Sequence, residues 1–257
     1  MISSASLLQW LDKTLEPEKF SDYCPNGLQV QGRSNIQHIV TGVTASLALI
    51  DKACEIGADT ILVHHGWFWR NEDPTIRGQR YHRIKRLIEA GINLIAYHLP
   101  LDAHPTLGNN AQLARRLGLE PFRDESGKPV TCGPGGLVWL GSPQPGQESI
   151  QGLLKKVESS LGRKPVWIGQ DHGATGTVAW CTGGAQNMYE AAIAAGANTY
   201  ITGEISEPSA HIARESDTTF ISAGHHATER YGVMALGEAV KKELGVKVTF
   251  IDIDNPA

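Results

Sequence analysis

Two stretches of this 257-residue chain carry the same helix, link and strand pattern, so any fold it adopts has to build that unit twice. Asp51–His65, DKACEIGADTILVHH, lies on Glu190–Glu204, EAAIAAGANTYITGE, in constant register, and Gly57-Ala58-Asp59-Thr60 then faces Gly196-Ala197-Asn198-Thr199. Farther along, Asn93–Asp102, NLIAYHLPLD, aligns with Phe220–Glu229, FISAGHHATE, pairing His98 with His225 and Asp102 with Glu229. Short α/β segments resemble one another by chance. Agreement at the histidine and carboxylate positions is what gives this repeat weight.

Around the repeat, apolar β-branched runs alternate with helical periodicity. Ile39–Val43, Thr60–His64, Asn93–His98, Thr177–Thr182, Thr199–Thr202 and Thr218–Ser222 read as strands. Ser46–Ile56, Gln79–Ala90, Asn110–Leu117, Gln186–Ala195 and Thr228–Leu244 read as helices between or after them. Such alternation predicts α/β architecture with buried, largely parallel strands. The expectation is two similar α/β lobes, each a mixed or largely parallel sheet flanked by helices, with the site in the cleft between them. Residues 1–122 form the first lobe and residues 171–257 the second. Residues 123–170 are read as a linker or insert with one helix, because Arg123–Gly146 is rich in Gly, Pro and Ser.

Composition removes several functional classes. A net charge of −4 gives no general attraction to nucleic acid or an anionic membrane. No apolar run is long enough to span a bilayer, and the first residues read as an amphipathic helix rather than a signal peptide. Cys24, Cys54, Cys132 and Cys181 are scattered, with no C-x-x-C pair, as expected of reduced thiols in a cytoplasmic protein. The G-x-x-x-x-G-K-[ST] phosphate loop and the G-x-S-x-G nucleophile elbow are both absent.

The chemistry gathers at strand ends. His64-His65-Gly66 closes one apolar run, at the carboxyl edge where open α/β sheets bind ligands. Adjacent residues of a regular strand point to opposite faces, and the turn at Gly66 would bring both imidazoles to one centre. Alone, the pair also fits one buried and one exposed histidine. His98-x-x-x-Asp102 and His225-x-x-x-Glu229 each begin where a strand finishes. The second pair can share the first turn of a helix, whereas Pro100 should keep the first pair in a loop or turn. Each pair alone equally fits a histidine bonded to a carboxylate for stability. Together they point to a shared metal site of His64, His65, His98, Asp102, His225 and Glu229.

Four imidazoles and two carboxylates exceed a tetrahedral zinc and would leave a single octahedral ion no open position. Two divalent transition-metal ions, about 3.5–4 Å apart, would use the set and leave room for substrate. Imidazole and carboxylate suit zinc, iron, manganese, cobalt or nickel. Glu204, in the repeat position of His65, is a near-site residue or a surface carboxylate, and it shares with His98 the role of candidate proton carrier. His104 and His226 either line the pocket or simply cap and face solvent. Trp67-Phe68-Trp69-Arg70 could wall it or serve packing.

Six motifs resemble the GTP cyclohydrolase 1 type 2 homolog family, dinuclear-metal proteins also called NIF-three-like. They are SDYCPNGLQVQG (Ser21–Gly32), IVTGVTAS (Ile39–Ser46), ILVHHGWFW (Ile61–Trp69), YHLPLDAHPTLGNNAQLA (Tyr97–Ala114), TGEISE (Thr202–Glu207) and SAGHHATER (Ser222–Arg230). The resemblance implies that His64, His65, Asp102, His225 and Glu229 are metal ligands, with His98 alongside. It further implies two α/β lobes around the metals and assembly as a homohexamer. The expected activity is metal-dependent hydrolysis of a nucleotide-like or other small polar substrate. A non-enzymatic metal-binding scaffold, metallochaperone or regulator is the alternative, and single-strand nucleic-acid binding has little support from the charge.

Overall fold

Strands buried on both faces need apolar residues at every position, and the first sheet shows why its strand runs are continuous. Our computed structural model describes residues 1–170 and 172–257, and it divides into two units. Asp171, where the second lobe is expected to begin, lies outside the described residues.

The first unit comprises residues 1–108 and 232–254. Its larger sheet has the order Lys247–Phe250, His38–Thr44, Thr60–His65, Asn93–Ala96, Gly27–Val30. The first four strands are parallel, and Gly27–Val30 closes the edge antiparallel. Ile39, Val43, Leu62 and Ile95 enter one buried cluster, with Leu7, Leu11 and Leu15 of the helix Ser4–Leu15 and Val233, Leu236 and Val240 of the last helix. The intervening Val40, Ile61, Val63, Leu94 and Ala96 enter another, with Leu49, Ile50 and Ala53 of Leu47–Glu55 and Ile84 and Leu87 of Gly78–Ala90. Alternate side chains thus serve opposite faces, as the period of two requires. Serine caps start two of these helices: Ser3 and Ser46 each accept a backbone N–H three residues on.

The second unit comprises residues 109–231 and 255–257. Its sheet runs Val166–Ile168, Thr219–Ser222, Thr199–Thr202, Val178–Trp180, Val138–Pro143, Leu119–Pro121, and Thr131–Cys132 pairs with Val138–Pro143 off this path. Only the three consecutive strands from Thr219–Ser222 to Val178–Trp180 are parallel to one another. The core here is aromatic. Tyr189 and Tyr200 stack with centroids 5.4 Å apart, Phe220 meets Tyr189 edge-on at 4.9 Å, and Trp139 lies 6.1 Å from Trp180. Both lobes are therefore α/β with mixed sheets.

Two local expectations are corrected. Val138–Pro143, within the Gly- and Pro-rich stretch read as linker or insert, is an interior strand paired on both sides. Its Gly141 belongs to the packing, since an added Cβ would overlap the Glu120 carbonyl. Leu99–Ala103, expected to be a loop or turn, is a short α-helix with His98 at its N-cap and Pro100 in its first turn. Proline is tolerated there because its missing N–H would have no helical partner.

Candidate metal centre

In the first unit the carboxyl ends of neighbouring parallel strands supply the histidines. Thr60–His65 continues as a strand through His65, so the turn at Gly66 is not what gathers the pair. The imidazoles nonetheless meet: the centroids of His64 and His65 are 4.5 Å apart, and His98 lies 5.0 Å from His64 and 5.7 Å from His65. Ring nitrogens of all three fall within 4.8 Å of one another. Asp102 is buried, with Oδ1 3.4 Å from Nε2 of the fully buried His64. Gly66 matters for another reason. A Cβ there would overlap the Gln29 side chain and come within 2.6 Å of the Ala96 Cβ, so the chain can leave the strand only as glycine.

Each of these imidazoles is fixed through Nδ1. His64 Nδ1 donates to the Tyr97 carbonyl at 3.0 Å, a group that can only accept. His98 Nδ1 donates to Asp22 Oδ1 at 2.7 Å, and His65 Nδ1 pairs with the Thr44 hydroxyl at 3.2 Å. For His64 and His98 this makes Nε2 the nitrogen suited to a metal, the arrangement that metal-binding histidines ordinarily show. The Thr44 hydroxyl, able to donate or accept, holds the His65 ring without fixing its tautomer.

In the second unit His225 opens the helix His225–Leu244, with Glu229 one turn on. His225 Nδ1 donates to Glu204 Oε1 at 2.6 Å, while Nε2 lies 3.2 Å from Glu229 Oε2. Burial alone would lower the His225 pKa, but the bonds and charges of Glu229 and Glu204 raise it to about 9. Without metal, His225 therefore carries a proton that an ion would displace. Glu204, read as near-site or surface, is half-exposed and bonded to His225, and it also accepts from Gln186 Nε2 at 3.0 Å.

Two contributors escaped the sequence reading. Asp22 sits in an irregular segment whose only signal was its place in the motif SDYCPNGLQVQG. Burial would raise its pKa, yet His98, Asn26 and the Tyr23 N–H together hold it at about 2, so it is a carboxylate. Gly183 was hidden in Thr182-Gly183-Gly184 after a strand. With φ of 70°, it leaves room for Glu229 and His225, because a Cβ there would overlap Glu229 Oε1 and lie 3.1 Å from His225 Nε2.

The remaining candidates divide. His104 Nδ1 accepts the Leu107 N–H at 3.0 Å, and burial lowers its pKa, so it caps a turn. Trp67 is packed, its Nε1 donating to the Ala45 carbonyl at 3.0 Å. Trp69 approaches the cluster, with its ring 4.9 Å from His98 and 5.9 Å from His65. His226 is buried. Among the described residues, no helix is long and apolar enough to cross a membrane.

A family model described as Duf34/NIF3 (NGG1p interacting factor 3) matches residues 2–256. A protein of Neisseria meningitidis named GTP cyclohydrolase 1 type 2 homolog is 50% identical over 257 residues, covering all of both chains. Its namesake in Escherichia coli K12 is 48% identical over 258 residues with the same coverage. Among solved structures, a chain described as "protein ybgI, unknown function" superposes with a TM-score of 0.90 at 45% identity, covering both chains fully. TTHA1606 from Thermus thermophilus does so with a TM-score of 0.83 at 31% identity, again over 100% of each chain.

Proposed function

The chain belongs to the Duf34/NIF3 family, and from that premise we propose that it is a dinuclear-metal protein acting as a hydrolase on a nucleotide-like or other small polar substrate. The observation that carries this reading is the orientation of the four histidines. His64 and His98 each donate Nδ1–H to an oxygen that can only accept, which presents Nε2 as the ligand nitrogen. His65 and His225 are held through Nδ1 by Thr44 and Glu204.

The donor count supports one shared centre. His225 and Glu229 alone are too few to hold an ion, since structural and catalytic sites use three or four protein ligands. Pooled with His64, His65, His98 and Asp102, they make a six-donor set that suits two ions of zinc, iron, manganese, cobalt or nickel. Such ions would supply Lewis acidity and an acidified water. Of the chain's own groups, Glu204, bonded to His225, would hold or move a proton beside them. His98 would share that role only if it were not a ligand, since its Nδ1 is already given to Asp22. The name shared by the relatives, GTP cyclohydrolase 1 type 2 homolog, supports a nucleotide-like substrate. The same reading makes the protein a cytoplasmic homohexamer. A light-scattering mass of one 27.8 kDa chain would refute that assembly.

Metal analysis after anaerobic purification tests the centre, with about two ions per chain expected from the donor count. Substituting His64, Asp102 or Glu229 with Ala should each lower bound metal in a chain that stays folded. Unchanged metal in all three variants would defeat the assignment. Turnover is tested separately, by screening GTP, other cyclic amides and phosphoesters. A metal-loaded protein inert to all of them would favour the scaffold or metallochaperone alternative.

A further inference from the structure

Asp22 is bonded more completely than any packing role requires. Its Oδ1 accepts His98 Nδ1 at 2.7 Å and the Tyr23 N–H at 2.6 Å. Its Oδ2 accepts the Leu99 N–H and Asn26 Nδ2, both at 2.9 Å. Asn26 in turn accepts the His98 N–H through Oδ1 at 2.8 Å. The segment carrying Asp22 has no helix or strand of its own between Phe20 and Asn26, so side chains must hold it. Arg70 does this from the other side: its N–H donates to the Tyr23 carbonyl and its Nη2 to the Asp22 carbonyl, both at 2.6 Å. Arg70 follows directly on Trp69, whose ring stands at 88° to His98, and Phe68 and Asn71 bracket this stretch at φ of 65° and 72°. Asn tolerates such an angle, but the bulky Phe68 carries strain there that the surrounding bonds must overcome.

We infer that Asp22 is a positioning residue that acts through His98, fixing the imidazole tautomer and ring plane so that Nε2 is presented to the metal. The inference rests on the reading of His98 as a ligand. A carboxylate is needed rather than an amide because all four bonds come from donors. Asn offers one accepting oxygen, and its NH2 would face the Leu99 N–H and Asn26 Nδ2. Flipped the other way, that NH2 would donate to Nδ1 and drive the ring proton onto Nε2, the wrong nitrogen. Asp22 is not itself a ligand, although Asp22, Cys24 and His98 could cluster around an ion. Its oxygens are already filled, and burial with the Asp22 charge pushes the Cys24 thiol up to about 12, against the thiolate a metal would need.

The test is cobalt(II) affinity, by chelator competition and the visible d–d spectrum, in the full chain and its D22N, H98A and D22N/H98A variants. D22N should weaken cobalt binding by about 10–100-fold and shift the spectrum, while adding nothing in the H98A background. D22E keeps the charge but misplaces it, so it should fall between and serves if D22N does not fold. If D22N loses as much affinity with His98 absent as with it present, or loses none while H98A weakens binding, this inference fails and the metal centre stands. Cobalt binding unchanged in H98A would overturn this inference together with the reading of His98 as a ligand.

Discussion

The two lobes run the same three parallel strands, yet they furnish the ends of those strands differently. His38–Thr44, Thr60–His65 and Asn93–Ala96 in the first correspond to Val178–Trp180, Thr199–Thr202 and Thr219–Ser222 in the second. Each trio is closed beside its last strand by an antiparallel edge strand. At the first strand end, Thr44 offers a hydroxyl to His65, whereas Gly183 offers space to Glu229. At the second end, His64-His65 stands against Gly203-Glu204. Gly203 admits no side chain at all, since a Cβ would lie 2.6 Å from both the Gly183 carbonyl and the His225 Cα. At the third end the chemistry converges again: His98 and His225 each give Nδ1 to a carboxylate. Those carboxylates come from unrelated places, Asp22 from a loop before the first strand and Glu204 from the end of the second. The duplicated scaffold preserves where a histidine stands, and each lobe supplies its anchor with whatever segment lies nearest.

If the scaffold is truly repeated, equivalent core positions should be equally costly to empty. Leu62 and Ile201 occupy matching sites on the middle strands, and both are fully buried. Leu62→Ala and Ile201→Ala should each destabilise by about 2–5 kcal/mol in denaturant melts. A several-fold smaller cost in one lobe would show that its strand trio does not carry that lobe's core. The strand tips should behave in the opposite way. Gly183→Ala forces a Cβ onto Glu229 and fixes a strained positive φ, at a cost of about 1–3 kcal/mol. Thr44→Val removes only one hydroxyl contact with His65, worth about 0.5–1.5 kcal/mol. Equal losses from the two would erase the distinction between the tips.

Where the sequence was legible, one face pattern or one charge pattern spoke alone. Apolar runs located the central strands to within a residue or two, because residues buried on both faces leave no ambiguity of hydrophobicity. The pairing of His98 with His225 emerged from the repeat. Val138–Pro143 was illegible because Gly141 and Pro143 look like loop chemistry, although the glycine is there for close packing against Glu120. Asp22 was illegible for a different reason: its partner is His98, 76 residues away. No local periodicity encodes a contact of that kind. Glu204 was visible as a position but not as a bond, since the repeat set it opposite His65 and only the structure joins it to His225.

The link residues give the finest test of equivalence. Gly57 and Gly196 both turn at positive φ, and Ala58 and Ala197 are both buried behind them. Next, Asp59 Oδ2 accepts the Gln37 and His38 N–H groups at 2.8 and 3.0 Å, while Asn198 Oδ1 accepts the Thr177 N–H at 2.9 Å. The two side chains do the same work, tying the start of the first strand to the start of the second, but only one of them titrates. Burial would raise the Asp59 pKa, yet the Gln37 and His38 bonds and Arg33 outweigh it and leave it lowered. A carboxylate with a depressed folded pKa adds stability above its unfolded value of about 3.9, and that stability drains away as pH falls through the lower folded value. Asp59→Ala and Asn198→Ala should therefore each cost about 1–2 kcal/mol at neutral pH, near the worth of a lost cap. In acid, the gap between wild type and Asp59→Ala should narrow as pH drops below about 4, while the gap for Asn198→Ala holds steady. Urea melts at a series of pH values read this directly. Parallel behaviour of the two variants would mean that the Asp59 charge contributes nothing, and that the lobes share the link's geometry without the electrostatic difference.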